Sequence, residues 1–141
     1  MSLQEATQFF THYRDAFNRL DGDAVADLWH SSSGIADSSN GRGRLTWWPD
    51  DAPMRANHRA LCELYRHNGY DPARVDIVDH LPLGSQHCVC RLHWTLNRAD
   101  DSVLQQFHTA YHLMRTATGP KVLLATAYEE DIQEMNRHAA Q

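Results

Sequence analysis

Apolar residues recur at spacings of three and four from Leu3 to Leu20, with Ala6, Phe9, Phe10, Tyr13, Ala16 and Phe17 between them, which is the signature of one helix face. Ser2 and Glu5 stand in the S-x-x-E arrangement of a capping box, and Asp21-Gly22 ends the pattern. Asp23 is placed to cap a second, shorter helix that buries Val25, Leu28 and Trp29 on one side, before the polar run Ser31 to Gly34. From Ile35 to Trp48 the pattern is weak, with turn residues Ser38-Ser39-Asn40-Gly41 and Gly43 around short extended pieces. A third helix follows, capped by Asp50 or Asp51, with Met54, Asn57, Leu61, Leu64, Tyr65 and Asn68 sharing a face up to Gly69.

After Asp71-Pro72 the period changes to two. Val75 to His80, Gln86 to Asn97, Val103 to Thr116 and Lys121 to Glu130 read as four strands, separated by short turn-rich segments. Short connections imply an antiparallel meander. Three helices followed by such a sheet give an α+β domain with the helices on one sheet face, and the length suits a single domain over residues 1–141.

Composition narrows the function classes. With 13 basic and 18 acidic residues the formal charge is −5, which gives no broad electrostatic footprint for nucleic acid. No apolar run is long enough to cross a bilayer, the N-terminus lacks a leader pattern, and three cysteines (Cys62, Cys88, Cys90) suggest reduced thiols in a cytoplasmic protein. Ten histidines are unusual, because protonating all of them would move the formal charge to about +5 and could alter subunit contacts.

The stretch YRDAFNRLDGDAVADLW at Tyr13–Trp29, the third helix, and the final strands FHTAYHLMRTATGPKVLLATAYEED together resemble the family of nuclear transport factor 2, the ketosteroid isomerases and the SnoaL-like polyketide cyclases. The resemblance covers nearly the whole chain. It implies an NTF2-like (cystatin-like) cone, in which three N-terminal helices close a strongly curved sheet around an apolar pocket and subunits pair through the sheet's outer face. Such folds host isomerases, dehydratases, cyclases and non-catalytic modules, so fold alone does not give the reaction.

Carried over position by position, the isomerase pattern implies that Tyr13 donates a hydrogen bond to a developing enolate oxygen and that Asp37 shuttles the proton. It places His112 where the isomerases keep a protonated aspartic acid. Enolisation needs these elements: a base near the acidic carbon and donors aimed at the oxygen that gains charge. Dehydratases of similar fold use histidine and tyrosine around a water, so elimination suits the histidine equally. If His112 points into the cone, strand parity sends Gln106, His108 and Met114 inward with it and leaves Phe107 and Tyr111 at a subunit interface. Phe17, Trp29, Trp47 and Trp48 complete the expected ligand-binding wall, and Arg42 and Arg44 stand near the expected mouth.

Each of these residues also has a plainer reading: Tyr13 as a core tyrosine, Asp37 as a turn aspartate, His112 and His108 as hydrogen-bonded histidines. Cys88 and Cys90 share a strand face, whereas His87 and His93 point the other way, so that set cannot readily surround one ion, and the cysteines read as small buried hydrophobes. No nucleotide or metal motif is present, and no metal or cofactor is expected. Two functions follow as expectations. One is a cofactor-free acid–base enzyme acting on a small, mostly apolar carbonyl compound of polyketide or steroid type. The other is a non-catalytic ligand-binding or interaction module; either would be a homodimer through the outer sheet face.

Overall fold

A computed structural model describes residues 1–128. Its order is α1 (Leu3–Asn18), α2 (Gly22–Ala26), β1 (Trp29–Ser39), β2 (Arg42–Trp48), α3 (Asp51–His67), β3 (Tyr70–Leu83), β4 (His87–Arg98), β5 (Val103–Thr116) and β6 (Gly119–Tyr128). The expected end of the last strand at Glu130 lies outside the described residues. The expected α+β class, with three helices and a large sheet, is what the chain adopts.

Local chemistry sets the helix boundaries. At the start of α1, the Glu5 amide donates to Ser2 Oγ at 3.1 Å and the Ser2 amide to Glu5 Oε1 at 3.5 Å, completing the capping box. The second helix is capped two residues earlier than expected. Asp21, not Asp23, accepts the Ala24 amide at 3.0 Å, and Trp29 belongs to β1 rather than to the helix. Gly22 is required here, since a Cβ would lie 2.6 Å from the Cα of Arg59 on α3. Arg55 on α3 then ties the two helices together through Asp23 and Asp27, and is itself held by Asp51 one turn earlier in α3.

The weakly patterned segment forms a β-hairpin. Asn40 and Gly41 both take positive φ, 53° and 74°, which is the conformation that Asn-Gly supplies between paired strands. The sheet has six strands in the order β2-β1-β6-β5-β4-β3. Strands β3 to β6 form the expected meander, but β1 joins its far side parallel to β6, a long-range pairing with no local signature. The core fills the space between the helices and one sheet face: Phe10, Met54, Leu92, Trp94, Leu104, Leu113 and Val122 are all buried there.

Candidate active site

The inward face of the sheet is set by β4. Cys88, Cys90, Leu92, Trp94 and Leu96 are buried, and their cross-strand partners on β5 are Leu113, Tyr111, Thr109, Phe107 and Gln105. Cross-strand partners share a face. The outward row is therefore Gln106, His108, Ala110, His112 and Met114, the reverse of the sequence expectation. Burial explains the reversal, because Phe107, Tyr111 and Leu113 carry the apolar surface that must meet the helices, whichever way the histidines then point.

Between this face and the helices lies a cavity of about 510 Å³. Of the expected site residues, Tyr13, Asp37, Phe17, Trp29 and Trp48 line it. His112, Gln106, His108 and Met114 do not, and Phe107 and Tyr111 line the cavity instead of standing at an outer interface. Trp47 is also outside. Gly34 is its cross-strand partner, the indole lies over that glycine, and the residue is 50% exposed.

Tyr13 is held by its neighbours on every side. Its helix buries it beside Phe9 and Phe10, its ring lies 5.6 Å from that of Tyr111, and Trp29 Nε1 donates to its hydroxyl oxygen at 3.1 Å. Burial pushes the phenol up to about 12, against hydrogen bonding from Trp29 and Tyr111 that pulls it down. The phenol stays protonated at neutral pH. Its oxygen accepts from Trp29, so its own O–H can donate, either within the Tyr13–Tyr111 pair or to a ligand.

The strongest polar feature is one that sequence reasoning missed. His58 on α3 lines the cavity, is 2% exposed, and has its ring 4.5 Å from that of Trp29 and 6.1 Å from that of Trp48. Neither ring nitrogen has a hydrogen-bond partner among the described residues. Burial, with a smaller contribution from the Arg55 cation, lowers its pKa to about 4, so the ring is neutral and carries one donor and one acceptor. The available signal was the 4-4-3 spacing of Met54, His58, Cys62 and Tyr65, which is the face that α3 buries. Tyr65 extends the polar wall by donating to Gln105 Oε1 at 3.1 Å.

Asp37 occupies the rim. It is the direct cross-strand partner of Arg44, whose Nε and Nη2 reach its two carboxylate oxygens at 2.8 and 2.7 Å. The Asp37 side chain is 23% exposed, against 57% for Arg44. The carboxylate thus faces both the cavity and a guanidinium that engages both its oxygens.

The curved sheet closed by three helices, with aromatic and polar groups facing one hollow, agrees with the comparisons. A family model described as NTF2-like protein (DUF6841) matches residues 4–130. The chain belongs to this NTF2-like family. None of the curated proteins compared with it matches. Among solved structures, a cystatin-like domain of unknown function from Nostoc punctiforme superposes with a TM-score of 0.68 at 12% identity, over 90% of this chain and 78% of that one. An NTF2-like protein of unknown function from Shewanella oneidensis gives 0.67 at 16%, covering 90% and 98%. A ketosteroid isomerase-like protein from Erwinia carotovora atroseptica gives 0.64 at 16%, covering 90% and 96%. At these identities the likeness establishes the NTF2-like fold and leaves the chemistry to the residues in the hollow.

Proposed function

We propose that the cavity binds a small, largely apolar carbonyl compound and catalyses a proton transfer next to the carbonyl without a cofactor. The observation that carries this reading is the pairing of two neutral polar groups, the Tyr13 phenol and the His58 imidazole, along one aromatic cavity. Tyr13 polarises the carbonyl oxygen through its O–H, backed by Trp29 and Tyr111. His58 takes the second-donor role foreseen for His112, offering its single N–H as the ring turns toward the ligand. Asp37 is the base, released from Arg44 when substrate enters. Preorganised donors in a low-dielectric hollow stabilise an enolate far better than water does. The isomerase-like name of the Erwinia protein is in keeping with this chemistry.

A panel of β,γ-unsaturated ketones, followed by the absorbance of the conjugated enone, tests the proposal. Wild-type protein should accelerate the shift, Asp37→Asn should abolish it, and Tyr13→Phe should lower kcat on the order of 10²-fold with little change in KM. A second reading, a ligand-binding module, is favoured by the engagement of both Asp37 oxygens by Arg44 and by the shielding of both His58 nitrogens. Binding of these ketones with no acceleration would select it.

In either case the partner is a second copy of the chain on the outer sheet face. Val89, Ala110 and Met114 are the apolar residues that the outward rows of β4 and β5 offer to such a pairing, among histidines and other polar side chains. Sedimentation at micromolar concentration should give a dimer; a monomer would reject it.

A further inference from the structure

Away from the cavity lining, three metal-ligating groups meet beside Met1. His80 on β3 is the cross-strand partner of Cys90 on β4, and Cys88 precedes Cys90 by two residues on the same inward face. One ligand atom from each of the three lies within 4.8 Å of the others. The Cys88 Sγ is 4.0 Å from the Cys90 Sγ and 3.7 Å from Met1 Sδ. A tetrahedral ion with bonds of about 2.3 Å to sulfur holds its sulfur ligands roughly 3.8 Å apart, so these separations need little adjustment. His80 Nε2 lies 2.9 Å from the Met1 carbonyl oxygen, which fixes the ring, so that Nδ1 would be the nitrogen offered to an ion. A histidine whose other nitrogen is anchored on a backbone carbonyl is the usual supporting arrangement of a metal ligand.

We propose that His80, Cys88 and Cys90 form a site for one thiophilic metal ion, Cu(I) or Zn²⁺. The donor set decides the class of ion. Two sulfurs and an imidazole, without a carboxylate, suit soft or borderline ions and not magnesium or calcium. The Met1 thioether beside Cys88 adds a donor that suits Cu(I). Both cysteines are fully buried and His80 is half-buried, so the ion is held in a closed position. There it staples the edge strand β3 to β4. Sequence spacing could not reveal this site, because the histidines nearest the cysteines, His87 and His93, point to the other face, and the ligand comes from a neighbouring strand.

The reduced wild-type protein is titrated with Co²⁺, as a spectroscopic stand-in for Zn²⁺, and separately with Cu(I) against a colorimetric chelator. One equivalent should bind, with a thiolate-to-metal charge-transfer band for Co²⁺ if the site is of zinc type, or with retention against the chelator for Cu(I) alone if it is of copper type. The Cys88→Ser/Cys90→Ser protein should lose affinity by on the order of a hundredfold or more, His80→Gln by at least about tenfold, and Cys62→Ser should bind as wild type does. Failure of wild-type protein to bind either ion at one equivalent would overturn the proposal, even if the serine variants do not fold. Unchanged affinity in the double variant, or in His80→Gln, would overturn it as well.

Discussion

Strand β5 offers two faces built from the same stretch of chain. Its inward residues Gln105, Thr109, Tyr111 and Leu113 are buried against helices and cavity, whereas outward His108, Ala110, His112 and Met114 are only partly covered. Histidines crowd the outward face. His93 and His108 are cross-strand partners with rings 4.8 Å apart, and His87 Nδ1 lies 2.9 Å from His112 Nε2. The inward face instead carries a phenol, a hydroxyl and an amide, and among the described residues the histidine that lines the cavity, His58, comes from a helix. A titratable residue type therefore does not mark the pocket here. Burial does, because each inward polar group is held neutral or hydrogen-bonded by an aromatic shell.

The largest expected difference between the faces is in packing. Leu113→Ala removes a fully buried side chain and should cost roughly 3–4 kcal/mol in chemical denaturation, whereas Met114→Ala, one residue along on the outer face, should cost about 1 kcal/mol or less. Equal costs would mean that the faces are wrongly assigned.

Next comes pH. His58 has a folded pKa of about 4 against an ordinary value of 6.5, so above about pH 6.5 both states are neutral and its contribution is fully present. As pH falls the unfolded chain takes up the proton first, and stability should decline between about pH 6.5 and 4, by at most about 3 kcal/mol. His58→Leu should flatten the curve in that window; an unchanged curve would contradict a buried neutral imidazole. Burial and the neighbouring His87 also lower the pKa of His112, but that ring is far less enclosed. Replacing it with alanine should leave most of the decline in place.

The smallest effect is at the rim. Arg44→Ala breaks an exposed ion pair with Asp37 and should change stability by about 0.5 kcal/mol or less. If Asp37 is the base, the same change should alter kcat, which separates a catalytic carboxylate from a structural one.

Much of the fold was legible in the chain. The capping box at Ser2 and Glu5, the apolar face of α1 and the bounds of β5 follow from local periodicity, and each is where that periodicity puts it. The parallel pairing of β1 with β6 was not legible, because it joins residues about ninety positions apart with no turn between them. Among the site residues, the positions of Tyr13, Phe17, Trp29, Asp37 and Trp48 on the cavity were foreseen. His112, His108, Gln106, Met114 and Trp47 were misplaced, since parity says which residues share a face and not which face is inside. The apolar weight of Phe107, Tyr111 and Leu113 held that information. His58 escaped notice because the periodicity was read with Asn57, Leu61 and Leu64 as the inner face of α3, whereas the helix buries the adjacent row Met54, His58, Cys62 and Tyr65 and leaves Leu64 exposed.

Catalysis in this hollow requires the Tyr13 hydroxyl to donate to an oxygen that gains negative charge. A naphthol, whose phenolic oxygen imitates such an enolate when ionised, can be titrated into wild-type protein and Tyr13→Phe by fluorescence. Saturable binding to wild type that weakens by about tenfold or more in Tyr13→Phe is the expected result. Equal affinity of the two proteins, or no binding to either, would contradict it.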